Sequence, residues 1–313
     1  MPRGINCSWP IRATGCRYPA ACTRKYGSGC KALPLAPARF PIYPNAFPFT
    51  PQAPIGPIYL PVGPLHFMTG RLCYNFASKH TIMEKLFTVT LVLHIVGGTL
   101  SLITGLVAIL AAKGKSRHRA GGKAFFAAMT LVFVTALVMS LMKGLTFLLM
   151  VAFFSYHLLL RGYRALYLKE LYKGQRMALP DYLINGVGVI FNTGLLTWGA
   201  SHLVTHSTYI HTVAVFFGLL GIWIAGGDIK HFVIPPKDKQ QWLYTHIGGM
   251  CGAYVAAVTA FMVVNIHFLP GILVWMAPVI TGVTLITLTI NKYKRKFNKQ
   301  TAAAETPVPV AVR

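Results

Sequence analysis

Histidines are the residues of this chain best suited to chemistry, since its 11 histidines outnumber its 6 acidic residues. Several lie in or at the ends of long apolar runs. Neutral imidazole is a common ligand of haem iron and of transition metals, and an apolar environment strengthens it by excluding water. The histidines are therefore predicted to be ligands, proton carriers or simple interfacial residues.

If the apolar runs cross a membrane, the histidines fall into two groups, one in each half of the bilayer. The outer group contains His94, His202, His211 and His267, and the inner group contains His157, His231 and His246. A transmembrane electron carrier with two b-type haems needs such an arrangement. The candidate ligands of a haem b are His94, His157, His246 and His202. The first two lie at different depths, so they are not expected to bind one iron together.

Small residues near these histidines allow two interpretations. Gly97, Gly98, Ser101 and Gly105 lie near the His94 face, and Gly248, Gly252, Ala256 and Ala260 follow an i, i+4 stripe near His246. Such residues make room for a flat macrocycle. They also let two helices approach closely, which is their commoner use in membranes.

A small-solute transporter or channel is the rival function, and a non-enzymatic membrane scaffold is a third. Proton-coupled transporters usually carry intramembrane carboxylates. The apolar runs offer only Asp228, which is expected to pair with Lys230 or to cap the interface. This shortage disfavours a pump but not a channel or facilitator. No GxSxG or HExxH motif supports hydrolysis, so enzymatic activity stays undecided.

The composition indicates that these histidines lie on transmembrane helices. The 313-residue chain is 54% hydrophobic with a mean hydropathy of +0.54, too apolar for an ordinary soluble domain. A helix needs about 20 apolar residues to cross the bilayer. Seven such runs predict an all-α integral membrane bundle: Leu86–Ala112, Ala124–Met142, Leu145–Leu160, Leu183–Val204, Thr212–Ile229, Ile247–Ile266 and Ile272–Ile290.

After residue 85, the Lys and Arg residues that contribute to the net charge of +24 lie almost entirely in short connections between these runs and in the tail. Lys and Arg are plentiful in every second connection and in the tail, and nearly absent from the others. By the positive-inside rule this predicts an inner-membrane protein with its N-terminus outside and its C-terminus in the cytoplasm. It disfavours nucleic acid as a partner, because no single basic face forms.

Three regions are predicted: a leader at residues 1–82, a membrane domain at residues 83–295 and a cytoplasmic tail at residues 296–313. The leader holds 13 of the 20 prolines and no acidic residue. Repeated proline excludes helix and favours an extended or disordered chain. Its cysteines match no zinc spacing, and a disulfide framework has little support without an export signal. We interpret the leader as disordered or as a mis-extended start, with the protein beginning at Met83.

The loop between the first two runs, KGKSRHRAGGK, is strongly basic. Its GGK is followed by Ala124 rather than Ser or Thr, so it does not match a phosphate-binding loop. Basic residues beside a membrane attract anionic lipid. The residues predicted to contact lipid or another anion are Lys113, Lys115, Arg117, His118, Arg119 and Lys123.

The stretches LHIVGGTLSLITGLVAILAAKGKSRHRAGGKAFF and WLYTHIGGMCGAYVAAVTAFMVVN resemble a family of uncharacterised bacterial multi-pass membrane proteins. The pattern of His94, His118, Arg119 and Gly122 is its most specific part. The resemblance covers about residues 83–295 and implies no established activity. The histidine-bearing spans are broadly similar to those of cytochrome b561-like proteins, which implies haem b. No flavin or nicotinamide domain is attached, so a haem protein of this kind would need a separate electron donor.

Overall fold

Seven α-helices and no β-strand make up the described part of the chain. The structure is a computed structural model that describes residues 66–205 and 208–305, and side chains over residues 82–205 and 208–300. The helices are α1 (His66–Leu110), α2 (Ser116–Lys143), α3 (Thr146–Arg164), α4 (Leu179–Thr205), α5 (Tyr209–Val233), α6 (Gln241–Asn265) and α7 (Gly271–Glu305). All seven are long and apolar enough to cross a membrane. The predicted all-α fold is confirmed, and the chain is a multi-pass membrane protein.

The helices extend beyond the predicted spans. Helix α2 begins at Ser116 and α4 at Leu179, each several residues before its apolar run. Hydropathy marks only the segment within hydrocarbon, whereas backbone hydrogen bonding continues into the interface. Helix α1 begins at His66, so the proposed start at Met83 falls inside it. That start stays a prediction, and residues 1–65 of the predicted leader lie outside the described residues.

A glycine separates α2 from α3. Gly144 has φ 65°, in the left-handed region, and both its own N–H and the N–H of Leu145 donate to the carbonyl of Ser140. Glycine adopts this conformation without steric cost and commonly ends helices in this way. The two apolar runs are therefore two helices rather than one, as predicted.

Helix α3 lies at the centre of the bundle and packs against α2, α4, α5 and α6, while α6 also packs against α1 and α7. A cluster of buried side chains surrounds α3, including Phe154, Leu159, Leu195 and Phe217. Large apolar residues also cover the outside, as expected where lipid replaces water. Helix contact in lipid depends on close packing and on buried polar groups rather than on exclusion of water.

Most of the basic connections meet at one end of the bundle. His118 of α2 hydrogen-bonds the carbonyl of Ala108 near the end of α1, and Lys294 of α7 lies 5.2 Å above the ring of Tyr244 at the start of α6. We call this end, where α1, α3, α5 and α7 finish and α2, α4 and α6 begin, the basic end. The other is the opposite end.

Candidate functional site

Two arginine–aspartate pairs anchor the last turn of α3 at the basic end. Arg161 donates from Nε and Nη2 to the two carboxylate oxygens of Asp228 on α5, both at 2.6 Å. Arg164 makes the same two-pronged contact with Asp181 on α4, at 2.7 and 2.9 Å. Paired geometry of this kind makes strong charge-assisted bonds. One helix end is thereby fixed to two neighbours.

Asp228 therefore does not pair with Lys230, and that expectation was wrong. The partner is supplied by another helix, 67 residues away in sequence. Asp181 was missed as an intramembrane carboxylate, because the predicted span began after it. It is 1% exposed and its Oδ2 also accepts from the N–H of Ala178, which helps to begin α4.

His157 lies one turn deeper than Arg161 on α3 and is buried against α4. Neither of its ring nitrogens makes a hydrogen bond of full geometry with a described residue, but the side chain of Asn185 lies at the ring as a weak hydrogen-bonding partner. A carbon added at Gly188 would be 2.8 Å from Nε2, so the ring lies directly on the backbone of α4. The glycine is what lets an imidazole fit between the two helices.

Two buried asparagines extend this polar face of α4. Asn185 donates from Nδ2 to the carbonyl of Asp181 at 2.9 Å, and Asn192 donates to the carbonyl of Gly188 at 2.7 Å. Each thereby leaves its side-chain oxygen buried without a partner among the described residues. We call Asp181, Asn185, His157 and Asn192 the polar column. Its two ends are 11 residues apart on α4, or about 16 Å of helix.

A small cavity opens into the column from the basic end. Its volume is about 20 Å³, enough for one water molecule. Both arginines, both aspartates, Asn185, His231 and Thr245 line it, together with apolar residues of the α3–α4 connection, α4, α5 and α6. A water-sized molecule thus has a polar entry to the column.

Apolar side chains close the column toward the opposite end. Asn192 lies so close to Gly221 of α5 that any side chain at that glycine would overlap its amide. Beyond this contact stand Leu195, Val213 and Ala214, all with no exposure. The column is therefore polar over the half near the basic end and ends inside the bundle.

The four histidines predicted to bind haem b lie in four different environments. His94 hydrogen-bonds Thr135 between α1 and α2, with 2.9 Å between Nδ1 and Oγ1, while His157 lies between α3 and α4. His246 donates from Nδ1 to the carbonyl of Gly162 at 2.8 Å, and His202 lies near the opposite end. The structure does not bring these four residues together, and haem binding stays a prediction.

Some of these histidines have other histidines as neighbours. The rings of His118 and His246 are 6.4 Å apart at the basic end, and those of His202 and His211 are 5.4 Å apart at the opposite end, beside Trp198. In the described part of the chain, no three side chains of His, Cys, Asp or Glu gather as a metal site would require.

Some of the glycines near His94 and His246 lie at helix contacts, whereas a carbon added at Gly98 would meet open space. A carbon added at Gly97 would lie 3.3 Å from Leu131 of α2. The ring of Tyr254 from α6 already occupies the space beside Gly105. Helices α3 and α6 touch most closely at Gly162 and Gly249. The tightest contact is thus one position away from the predicted Gly248 stripe.

The basic loop lies at the basic end, and most of its predicted anion-contacting residues are exposed. His118 is half-buried, while Lys113, Lys115, Arg117, Arg119 and Lys123 face outward. Contact with lipid or another anion stays a prediction for these six residues.

Comparisons with protein-family models, with curated proteins and with solved structures find no match for this chain. The resemblance to a bacterial membrane family and to cytochrome b561-like proteins therefore gains no support from them.

Proposed function

We propose that the protein is a transporter for small neutral polar solutes, that the polar column is where such a solute binds, and that the apolar contacts beyond Asn192 separate to release it. The observation that carries this proposal is a set of buried polar atoms in the column that lack a hydrogen bond of full geometry to a described residue. They are the side-chain oxygens of Asn185 and Asn192 and the ring nitrogens of His157, which have only the weak contact with Asn185. A buried polar group without a partner costs about 1–3 kcal/mol. A hydrogen-bonding solute in the column would recover that cost.

The charges around the column favour a neutral solute over an ion. Arg161 neutralises Asp228 and Arg164 neutralises Asp181, so neither pair has charge to spare for an entering ion. An uncompensated ion within a protein interior is strongly unfavourable. The cavity of about 20 Å³ limits the solute to the size of water or ammonia.

Reconstituted vesicles test the proposal. Stopped-flow light scattering would measure water and ammonia permeability for vesicles with the protein, with Asn192→Leu, and without protein. We expect the protein to raise permeability and Asn192→Leu to remove most of the increase. Asn265→Leu is the matched control, because Asn265 also donates to the carbonyl four residues earlier but is exposed on α6. Equal permeability with and without protein, or equal loss in both variants, would refute transport through the column.

A histidine-bound haem b is the second candidate, and it would need a separate electron donor. The weakly paired ring nitrogens of His157 favour it, but the ring lies against Gly188, so a macrocycle requires α3 and α4 to move apart. Absorption spectra of protein expressed with ample haem, oxidised and then reduced, would decide. A Soret band weakened by His157→Ala or His94→Ala would support haem, and no band would remove this candidate.

We also propose that the basic end faces the cytoplasm of a cell whose inner membrane holds the protein. Lys and Arg concentrate in cytoplasmic connections of membrane proteins, and most of the basic connections of this chain meet at that end. A green fluorescent protein joined after Arg313 should fluoresce, whereas alkaline phosphatase joined there should be inactive. The reverse pattern would invert the proposed orientation.

A further inference from the structure

An apolar groove runs along the outside of the bundle between α1, α6 and α7. Its volume is about 550 Å³, within the range of about 300–1,000 Å³ typical of ligand pockets. Leu106 and Ile109 form its α1 wall, and Ile247 to Met262 span its α6 wall. Ile247 and Met262 are 15 positions apart on α6, which is about 22 Å of helix.

The α7 wall explains why the groove stays open. Pro278 lies within α7, where a proline ring removes one backbone hydrogen bond and bends the helix. Ala277 on the same wall has a small side chain that leaves space, whereas Gly282 is in close contact with Val255 of α6. Tyr254 of α6 packs into Gly105 of α1 nearby, so those two helices touch beside the groove.

One end of the groove meets a group of cationic and imidazole side chains. Lys113 donates from Nζ to the carbonyls of Ala108 and Ile109, and Ile109 lines the groove. His118 donates from Nδ1 to the same Ala108 carbonyl at 2.9 Å, and its ring is 6.4 Å from that of His246. The apolar groove therefore ends at the basic end beside a fixed ammonium group.

We propose that this groove binds one anionic phospholipid, with an acyl chain along α6 and α7 and the phosphate beside Lys113. The length supports a lipid, since half of a bilayer's hydrocarbon core is about 15 Å thick and an acyl chain of that leaflet fits within the groove. The charge supports an anionic headgroup, because the α1–α2 connection and the first turn of α2 are basic and contain no acidic residue. A helix from a second copy would fill the apolar part but leave this charge without a partner.

The site differs from general attraction of the basic loop to a charged surface. Surface attraction acts on every exposed Lys and Arg and has no fixed stoichiometry. A groove with one cationic end binds a fixed number of lipids, and binding requires both the apolar groove and the cation. Blocking the apolar part should then release the lipid even when every charge remains.

Native mass spectrometry of the purified full chain in detergent, titrated with phosphatidylglycerol or phosphatidylcholine, tests this inference. We expect one phosphatidylglycerol to bind at least tenfold more tightly than phosphatidylcholine. Thr281→Phe, which fills the groove, and Lys113→Gln, which removes the cation, should each abolish that preference. Ile280→Phe is the control for the first, because Ile280 is an exposed neighbour outside the groove lining. Lys143→Gln is the control for the second, because Lys143 lies at the opposite end over Phe87.

Four results would overturn the inference. Equal affinity for the two lipids would show that the charged end does not bind the headgroup. Equal effects of Thr281→Phe and Ile280→Phe would show that the apolar part of the groove does not bind the acyl chain. Displacement of the lipid by inorganic phosphate would indicate a simple anion site. A dimer that Thr281→Phe dissociates would assign the groove to a second copy of the chain. Gel filtration and circular dichroism would establish that each variant is folded.

Discussion

Replacing Gly249 by alanine tests the close backbone contact between α3 and α6. A Cβ at this position would lie 2.5 Å from Cα of Gly162 and 2.7 Å from the carbonyl oxygen of Leu158. Both are backbone atoms, so α3 and α6 must separate to accept the methyl group. Overpacking of this kind typically costs about 1–3 kcal/mol.

Two further effects modify that magnitude. Separation of α3 and α6 would stretch the 2.8 Å hydrogen bond from His246 to Gly162, and such a bond contributes about 0.5–1.5 kcal/mol. Alanine favours a helix over glycine by about 1 kcal/mol, which acts in the other direction. We therefore expect Gly249→Ala to lower the free energy of unfolding by about 1–3 kcal/mol.

Gly248→Ala is the matched control on the preceding residue. A Cβ there would meet only Arg161 Nη1, at an ordinary contact distance of 3.9 Å. We expect it to be neutral or to stabilise by up to about 1 kcal/mol through helix propensity. Reversible unfolding of the detergent-solubilised protein, followed by circular dichroism during titration with SDS, would measure both. If both variants lose the same stability, the close contact of α3 with α6 is refuted.

Three other perturbations follow from the described contacts, and the same unfolding assay measures each. Asp228→Asn should lower the free energy of unfolding by about 3 kcal/mol, because it leaves the mostly buried Arg161 unpaired. Replacing both residues by apolar ones should cost much less. An equal loss of stability in the single and double variants would contradict the pairing. Gly144→Ala should cost about 1 kcal/mol because φ is 65° there, and an unchanged stability would argue against the left-handed turn. His94→Phe and Thr135→Val should each cost about 1 kcal/mol, and the double variant should cost less than their sum; strict additivity would contradict the hydrogen bond.

The polar face of α4 had a signal in the sequence. Asp181, Asn185, Gly188 and Asn192 are spaced by 4, 3 and 4 residues, which places them on one side of a helix. A span predicted from hydropathy alone misses this pattern, because such a span begins after Asp181 and so excludes its first member. The partners of this face could not be predicted, since any of several helices could lie against it.

The number of membrane-crossing helices and the turn at Gly144 could be predicted from the sequence, whereas several helix ends could not. The predictable features are local properties, because each helix satisfies its own backbone hydrogen bonds and must carry its own apolar length. The contacts of Arg161 with Asp228 and of His157 with Gly188 are visible only once the helices are packed together. Such contacts depend on which helices are neighbours and on how each is rotated about its axis. Both follow from the simultaneous packing of all seven helices, which hydropathy and spacing along one chain do not encode.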